Sequence, residues 1–502
     1  MVVVLGSGCV RGLTGFEVRV EISLYRRLPK VIIVGLAAGA VRESTERVRS
    51  AILASGFEFP RMCVTINLAP GDVKKEGTGL DLPIALGILV ASGQLERRAL
   101  GGCFFVGELS LDGEIRRVQN PLSLAMLAKR QGYVRIVVPT GCGAIAAHVS
   151  GIEVCEATSL SYLVESLRLS RILPVASPGL LNSLPVEGEV SDVDGQSMAK
   201  RALELAAAGG HNLMLVGPPG VGKTMIARRL PCLLPSLGHQ EAVEVTLIHS
   251  AAGFRVSLEG LVSSRPFRVP HHSITRAGMI GNARLVPGEL SLAHCGVLFL
   301  DELPEFQRSV LELLRGPLQD REVVISRAEG VVRFPASCIL VATANPCPCG
   351  FLGHPFRPCS CTEIEVHRYR GRVSGPLMDR VDLHVQMEAV PYADPLASRR
   401  TAADLRRSVA VARAIQASRY DGEAIHVNAE LEGGGVRRFI ALDCEASRRI
   451  EQAVVQFSFS ARSRDRILKV ARTIADLAGS SLVHDAHVAE ALLFRGVDQV
   501  AL

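Results

Sequence analysis

Gly217, Pro218, Pro219, Gly220, Val221, Gly222, Lys223 and Thr224 set a glycine-rich turn directly ahead of a lysine and a hydroxyl. Glycines allow a backbone to curl until several N–H groups face one point, and the lysine adds a cation there. The ligand that fits such a loop is a polyphosphate. Farther along, the apolar run Leu298-Phe299-Leu300 ends on Asp301-Glu302. The Thr224 hydroxyl is expected on Mg²⁺, Asp301 on that ion's water shell, and Glu302 as the base that orients an attacking water. Lys223 is expected to reach the β- and γ-phosphates, which makes ATP with Mg²⁺ the implied substrate and cofactor.

A second group of side chains points to different chemistry. Cys347 and Cys349 form one Cys-x-Cys pair, and Cys359 and Cys361 form another, with nine residues between the pairs. Four thiolates so close in sequence can close a tetrahedral Zn²⁺ site, although two to four residues is the usual spacing within a pair. His354 and His367 are available as substitute ligands, and free thiols or a redox pair remain alternatives. Such a metal would be structural, since four sulfurs leave no open position.

These groups need elements to position them. His211 to Val216 reads as an apolar strand entering the glycine loop, and Met225 to Leu234 reads as the helix after it. Gly296 to Leu300 and Cys338 to Ala342 read as further strands, the second ending near Asn345. Parallel strands with polar residues at their C-terminal ends predict an α/β sheet with the nucleotide along one edge. Gln196 to Ala208 reads as a helix. Beyond about residue 390 the pattern turns helical, over Asp404 to Tyr420, Cys444 to Phe457 and Ser463 to Ala478.

Residues 1–170 read as an α+β unit. Its strands are Glu17 to Ile22, Lys30 to Val34, Cys63 to Asn67 and Arg135 to Val138, and its helices Ala40 to Ala54 and Asp81 to Ala91. A Ser/Pro/Gly-rich linker is expected at 171–190, an ATPase core carrying the cysteines at 191–393, and a helical lid at 394–502.

At 502 residues the chain exceeds one ordinary core. No internal repeat or low-complexity tract is present. The apolar run Leu82 to Ala91 is too short to span a bilayer, which takes about 20 residues, so no membrane partner is expected. The N-terminus lacks a basic leader and a cleavage pattern. Nine cysteines are scattered through apolar stretches as reduced core thiols are, and the expected location is the cytoplasm. A net charge of +6 does not by itself imply nucleic acid.

Val341-Ala342-Thr343-Ala344-Asn345-Pro346 resembles the sensor-1 strand of AAA+ ATPases, and Gly375 to Leu383, containing Met378-Asp379-Arg380-Val381-Asp382, resembles their arginine-finger segment. The whole chain is similar to the ComM/YifB family of magnesium-chelatase-like ATPases, in which a Lon-protease-like domain precedes the ATPase and a lid follows it. The resemblance implies that Asn345 polarises the attacking water and that Arg380 reaches the nucleotide of a neighbouring subunit in a homo-oligomer, expected to be a hexamer. Ser460-Ala461-Arg462 resembles the sensor-2 segment, and Arg462 is the chosen cation over Arg466 and Lys469.

Lys74 to Pro83 resembles the segment where Lon-type proteases carry their serine, and Gly79 occupies that position. Gly107 to Arg117 matches the segment with the lysine base, where this chain has arginines. Arginine cannot accept a proton, so peptidase chemistry is not expected. Pro266 to Ser273, with His271-His272, resembles a pore-lining insert, and Arg321 to Arg333, with Arg327, reads as a β-hairpin. Arg399, Arg400, Arg406, Arg407, Arg413 and Arg419 are opposed within their stretch only by Asp404, which fits either phosphate contacts or a solvated helix face.

The function that the resemblance implies is an ATP-driven ring motor moving single-stranded or branched DNA. Branch migration of recombination intermediates during integration of incoming DNA is the expected task, with recombination proteins as possible partners. A magnesium-chelatase-type motor that remodels a partner protein, and a nucleotide-switched scaffold, are the alternatives.

Overall fold

The computed structural model describes residues 2–36, 39–75, 77–179, 195–254, 260–327, 330–388 and 401–495, with the side chains of Ala40, Arg42 and Arg327 excepted. Arg399, Arg400, most of the expected linker and the Arg327 side chain therefore lie outside the described residues. The chain divides into two compact units, Met1–Asn182 with Ala242–Ser263, and Ser183–Glu241 with Ser264–Leu502.

The first unit is built on a seven-stranded mixed sheet. From one edge its strands are Lys30–Val34, Cys63–Ala69, Thr14–Tyr25, Val2–Arg11, Cys103–Phe105, Arg135–Pro139 and Glu153–Ala157. Val2–Arg11 and Thr14–Tyr25 form an antiparallel hairpin. The first of these strands escapes the sequence pattern because Gly6 and Gly8 interrupt its alternation. Successive residues point to opposite faces. Phe105, Val137 and Cys155 accordingly enter the core that holds helix Asp81–Ala91. Phe104, Ile136, Val138 and Val154 enter the other, with helix Pro121–Arg130. Asp81 to Val90 are buried without exception, as a helix with no polar face must be.

The second unit carries a five-stranded sheet, ordered Phe267–Arg268, Val297–Leu300, Ile339–Ala344, Leu213–Val216, Leu383–Gln386. Every pairing is parallel. Three of its strands, VLFL, ILVATA and LMLV, are wholly buried. Continuous apolar runs of this kind are what a parallel sheet covered on both faces requires. Leu213–Val216 runs into the glycine loop between the strands that end at Ala344 and Gln386. The helix expected at Met225 to Leu234 is instead two short pieces, Lys223–Ala227 and Leu230–Leu233. Pro231 has no N–H to continue the first piece, but it fits the opening turn of the second.

The expected hairpin is present: Glu322–Arg327 pairs antiparallel with Gly330–Pro335. The C-terminal helices are Ala402–Arg419, Cys444–Phe457 and Ala461–Leu477, with Asp485–Leu493 after them. Thr401, Asp443 and Ser460 cap the first three through side-chain oxygens. Leu405, Val409, Ile467 and Val470 share one apolar core with Leu203, Leu213 and Leu215 beneath the sheet. No helix among the described residues is long and apolar enough to cross a membrane.

Candidate active site and candidate metal centre

Three strand ends converge on one point. The Lys223 ammonium donates to the carbonyls of Gly217 at 2.6 Å and Pro218 at 2.8 Å, and to Asn345 Oδ1 at 3.0 Å. Burial lowers the Lys223 pKa, while Asp301 and Glu302 act to raise it. Thr224 Oγ1 donates toward Asp301 Oδ2 at 3.1 Å. Gly220 and Gly222 hold φ of +84° and +88°, and a Cβ at either would meet nothing within 4 Å. The loop thus keeps the left-handed turns and the clear inner surface that phosphate oxygens need, so these residues fit a nucleotide with Mg²⁺ on Thr224 and Asp301.

Thr343 belongs to this site, although no sequence pattern singles it out. It is fully buried in the strand ending at Ala344. Its hydroxyl donates to Asp301 Oδ1 at 2.5 Å and accepts from the Glu302 N–H at 3.0 Å. Glu302 has a left-handed backbone, φ 54°, which costs a non-glycine residue roughly 1–2 kcal/mol. The Thr343 hydroxyl helps to hold that conformation, and the Glu302 side chain is left exposed. The one signal for Thr343 is a polar residue in an otherwise apolar central strand.

Among the described residues, Arg380 makes no hydrogen bond to these groups. Its Nη2 donates to Gln319 Oε1 and its carbonyl accepts from Asn212 Nδ2 at 2.8 Å. The residues on either side are tightly bound. Asp379 Oδ1 accepts from Arg466 Nη2 at 3.0 Å, and the Val381 carbonyl from Arg495 Nη1 at 3.0 Å. Asp382 Oδ2 meets His211 Nδ1 at 2.9 Å, and the other nitrogen of that ring meets Thr473 Oγ1 at 2.8 Å. Arg462 is exposed, whereas Arg466 and Lys469 of the same helix are engaged, Lys469 Nζ with the Ala429 carbonyl at 3.0 Å.

Among the described residues of the arginine run, the side chains do not form a phosphate-facing stripe. Arg406 Nε donates to the Cys232 carbonyl at 2.6 Å and Arg413 Nε to that of Ala207 at 2.9 Å. Arg419 pairs with buried Asp476. Burial pulls the Arg413 pKa down to about 10. Asp404 is bound into a capping box with Thr401, and Arg407 stays exposed. Another basic surface is present instead. Pro304, Glu305, Phe306, Arg308, His367, Arg368, Gly371 and Arg372 line an open depression of about 680 Å³. His272 sits edge-on to Phe306 at 6.5 Å between ring centroids, and His271 lies 4.1 Å from His272.

The four clustered cysteines meet in space. Sγ separations are 3.4 Å for Cys347–Cys349, 3.6 Å for Cys347–Cys359 and 3.5 Å for Cys349–Cys359. All four sulfurs, with that of Cys361, lie within 4.8 Å of one another. A disulfide needs about 2.05 Å, whereas tetrahedral Zn–S bonds of about 2.3 Å put sulfurs about 3.8 Å apart. Backbone N–H groups of Cys349 and Leu352 point at Cys361 Sγ and Cys347 Sγ, both at 3.3 Å, as thiolate ligands accept them. The residues therefore fit Zn²⁺. His354 is not part of this group, because its Nδ1 accepts from the N–H groups of Phe356 and Arg357 at 3.1 Å each. His367 lines the basic depression.

In the first unit, the Thr78 hydroxyl donates to Glu108. Lys75 is fully buried with its ammonium on the Pro70 carbonyl, and burial lowers its pKa. A Cβ at Gly79, the expected serine position, would make only ordinary contact with Val118 at 3.4 Å.

Three family models match the chain: magnesium chelatase, subunit ChlI, over residues 189–394; subunit ChlI of Mg-chelatase over 20–141; and the ChlI C-terminal model over 399–495. The protein YifB of Escherichia coli is 38% identical over 496 residues, covering 98% of this chain and 96% of its own. Competence protein ComM of Haemophilus influenzae is 39% identical over 489 residues, covering 96% of this chain and 94% of its own. Lon protease 2 of Bacillus subtilis is 31% identical over 179 residues, 33% of this chain and 31% of its own. With near full-length identity to these relatives and a complete phosphate-loop site, the chain belongs to the ComM/YifB family of magnesium-chelatase-like AAA+ ATPases.

Proposed function

We propose that this protein is an ATP-hydrolysing ring motor that moves branched DNA, with branch migration during integration of incoming DNA as its task. The observation that carries the ATPase part is the Thr343 hydroxyl holding Asp301 and the Glu302 backbone together beside Lys223. Lys223 binds the β- and γ-phosphates of the substrate, exchanging its carbonyl partners for phosphate oxygens. Mg²⁺, when bound, neutralises charge on the phosphates, with Thr224 and Asp301 as its holders. Glu302 takes the proton of the attacking water and Asn345 orients that water.

Arg380 acts on the nucleotide of the next subunit in a hexamer, which makes hydrolysis depend on assembly. The C-terminal helices act as the lid, with Arg462 as the cation that reaches nucleotide. The Lon-like first unit has no peptidase role: Gly79 offers no nucleophile, and Lys75 is turned to a carbonyl. The four cysteines hold one structural Zn²⁺, and the protein works in the cytoplasm.

The DNA part is supported by the depression where Arg308 and Arg368 are exposed, Arg372 is paired with Glu305, and the exposed rings of His271 and His272 lie alongside. Exposed cations beside exposed imidazole rings suit contacts to a phosphate backbone. ComM, a relative along nearly the whole chain, carries the name of a competence protein, which favours this substrate over a chelatase partner. The test is ATPase turnover with single-stranded, duplex and four-way-junction DNA. Junction DNA is expected to stimulate most and to be rearranged. Turnover indifferent to every DNA, with rings formed, moves the reading to the partner-remodelling motor.

A further inference from the structure

The cysteine cluster lies against the phosphate loop. Cys347 follows Asn345 by two residues, and Asn345 receives a hydrogen bond from Lys223. Gly350, between the two cysteine pairs, has φ +84°. A Cβ there would lie 2.7 Å from Cδ and 3.2 Å from Cγ of Pro219, and 3.9 Å from Cγ of Asn345. The cysteine loop thus approaches the phosphate loop closely enough to leave no room for a side chain at Gly350. The contact is braced on both sides. The Gly350 N–H donates to the Cys347 carbonyl at 3.0 Å. Behind it, Arg370 Nε donates to the Pro346 carbonyl at 3.2 Å, and buried Tyr369 bonds the Asn345 backbone.

Opening the metal site means moving residues 347–352, because Cys347 is fully buried and its sulfur also receives the Leu352 N–H. That motion shifts the Gly350 backbone on which Pro219 rests, and from Cys347 the chain leads back to Asn345 through Pro346. Conversely, nucleotide that stiffens the phosphate loop stiffens the floor under Gly350. Two sites joined by one rigid contact share a coupling free energy, and that coupling is reciprocal.

We propose that metal in the four-cysteine site and nucleotide in the phosphate loop stabilise each other through the Gly350–Pro219 contact. This rests on the zinc reading above. Pro219 and Gly350 are positioning residues that transmit the state of one site to the other.

The experiment measures zinc release from the full chain to the chromogenic chelator pyridylazoresorcinol, with and without Mg²⁺ and a non-hydrolysable ATP analogue. Nucleotide is expected to slow release about tenfold, within the usual range of coupling between sites. Stripping the zinc is expected to weaken binding of the analogue by a similar factor. Pro219→Ala removes the ring atoms that meet Gly350, so the effect of saturating nucleotide on zinc release should shrink below about twofold, whatever the variant's own nucleotide affinity. Gly350→Ala, which forces a Cβ toward Pro219, should lower analogue affinity with zinc retained; if it does not fold, Pro219→Ala alone decides. Zinc release indifferent to nucleotide, or unchanged coupling in Pro219→Ala, overturns the proposal and leaves the zinc reading standing. A chain that takes up no zinc under reducing conditions overturns both.

Discussion

Thr343 donates its hydroxyl hydrogen to Asp301 at 2.5 Å while accepting the backbone N–H of Glu302 at 3.0 Å. One buried oxygen therefore sets both the carboxylate expected on magnesium and the strained backbone that carries the expected base. Thr343→Val keeps the shape and removes both bonds. Turnover is expected to fall by roughly 100-fold, since small misplacement of a reacting group costs about that much. Stability should drop by about 1–3 kcal/mol because the half-buried Asp301 carboxylate loses its shortest hydrogen bond and the Glu302 N–H loses its acceptor. Thr343→Ser keeps the hydroxyl and should retain most activity. Steady-state kinetics with a urea midpoint for each variant provide the check, and wild-type turnover in the valine variant would detach Thr343 from the site.

Lys223→Ala and Glu302→Gln should separate binding from chemistry. Loss of the ammonium removes ground-state affinity, whereas loss of the carboxylate affects the chemical step, so the glutamine variant should bind ATP and stall. Lys223 also carries a pH signature. Its pKa is lowered by burial, so in the empty site it loses its proton earlier than an ordinary lysine as pH rises. Phosphates beside it favour the charged form. ATP binding on the alkaline side is therefore expected to take up protons, and the uptake should vanish in Lys223→Ala. Calorimetry in buffers of different ionisation enthalpy measures this directly.

The parts of this site that are legible in sequence are those whose residues are adjacent in the chain. Gly217 to Thr224 and Asp301-Glu302 each make a local pattern, and the strand before each is continuously apolar. Thr343, Gly350 and the His211–Asp382–Thr473 chain are not local. They depend on which strands are neighbours, and the sheet places Ile339–Ala344 between the strands that carry the other two motifs. Charge count misled in the C-terminal segment for a related reason. Arg406, Arg413 and Arg419 resemble a surface stripe in sequence, yet they reach back to carbonyls and to Asp476 from distant elements. The cysteine cluster is readable because all four cysteines fall within one loop.

Asp81 gives the first unit its own pH dependence. Burial raises its pKa to about 6, and the Arg47 partner, with Nε 2.9 Å from Oδ2, only partly offsets this. The Arg47 pKa moves up, as expected beside a carboxylate, so the pair does attract; desolvation of a carboxyl with 1% of its side chain exposed outweighs that attraction. A carboxyl whose folded pKa lies above its unfolded one stabilises the fold below the unfolded value, and this contribution is lost as pH rises through the folded value. Stability of the first unit should thus decline between about pH 4 and pH 6, by roughly 3 kcal/mol. Asp81→Asn should flatten that slope. Thermal melts across this pH range distinguish the two, and identical slopes would remove Asp81 as the cause.

Arg380 sits on a segment tied down at every neighbouring residue: Asp379 to Arg466, Val381 to Arg495, and Asp382 to His211. Among the described residues its own Nε has no hydrogen-bond partner, and none of its hydrogen bonds goes to Lys223, Asp301 or Glu302 of the same chain. A cation on a rigidly held segment, without a hydrogen bond to the phosphate-site groups of its own chain, is suited to act on the nucleotide of a neighbour. Arg380→Ala and Lys223→Ala should each abolish most hydrolysis alone. Mixed, they should regain a fraction of it, because some interfaces then pair an intact phosphate loop with an intact finger. Arg466→Met should lower turnover about tenfold with ATP affinity intact, since it frees Asp379 and lets the finger drift. Adding Asp379→Asn to Arg466→Met should cost little more, as two partners of one ion pair are not additive. Hydrolysis rates of the mixtures, with ring formation confirmed by light scattering, test the whole chain of reasoning: no recovery in mixed rings would mean that Arg380 serves its own subunit, and a full additive loss in the double variant would mean that Arg466 acts elsewhere than through Asp379.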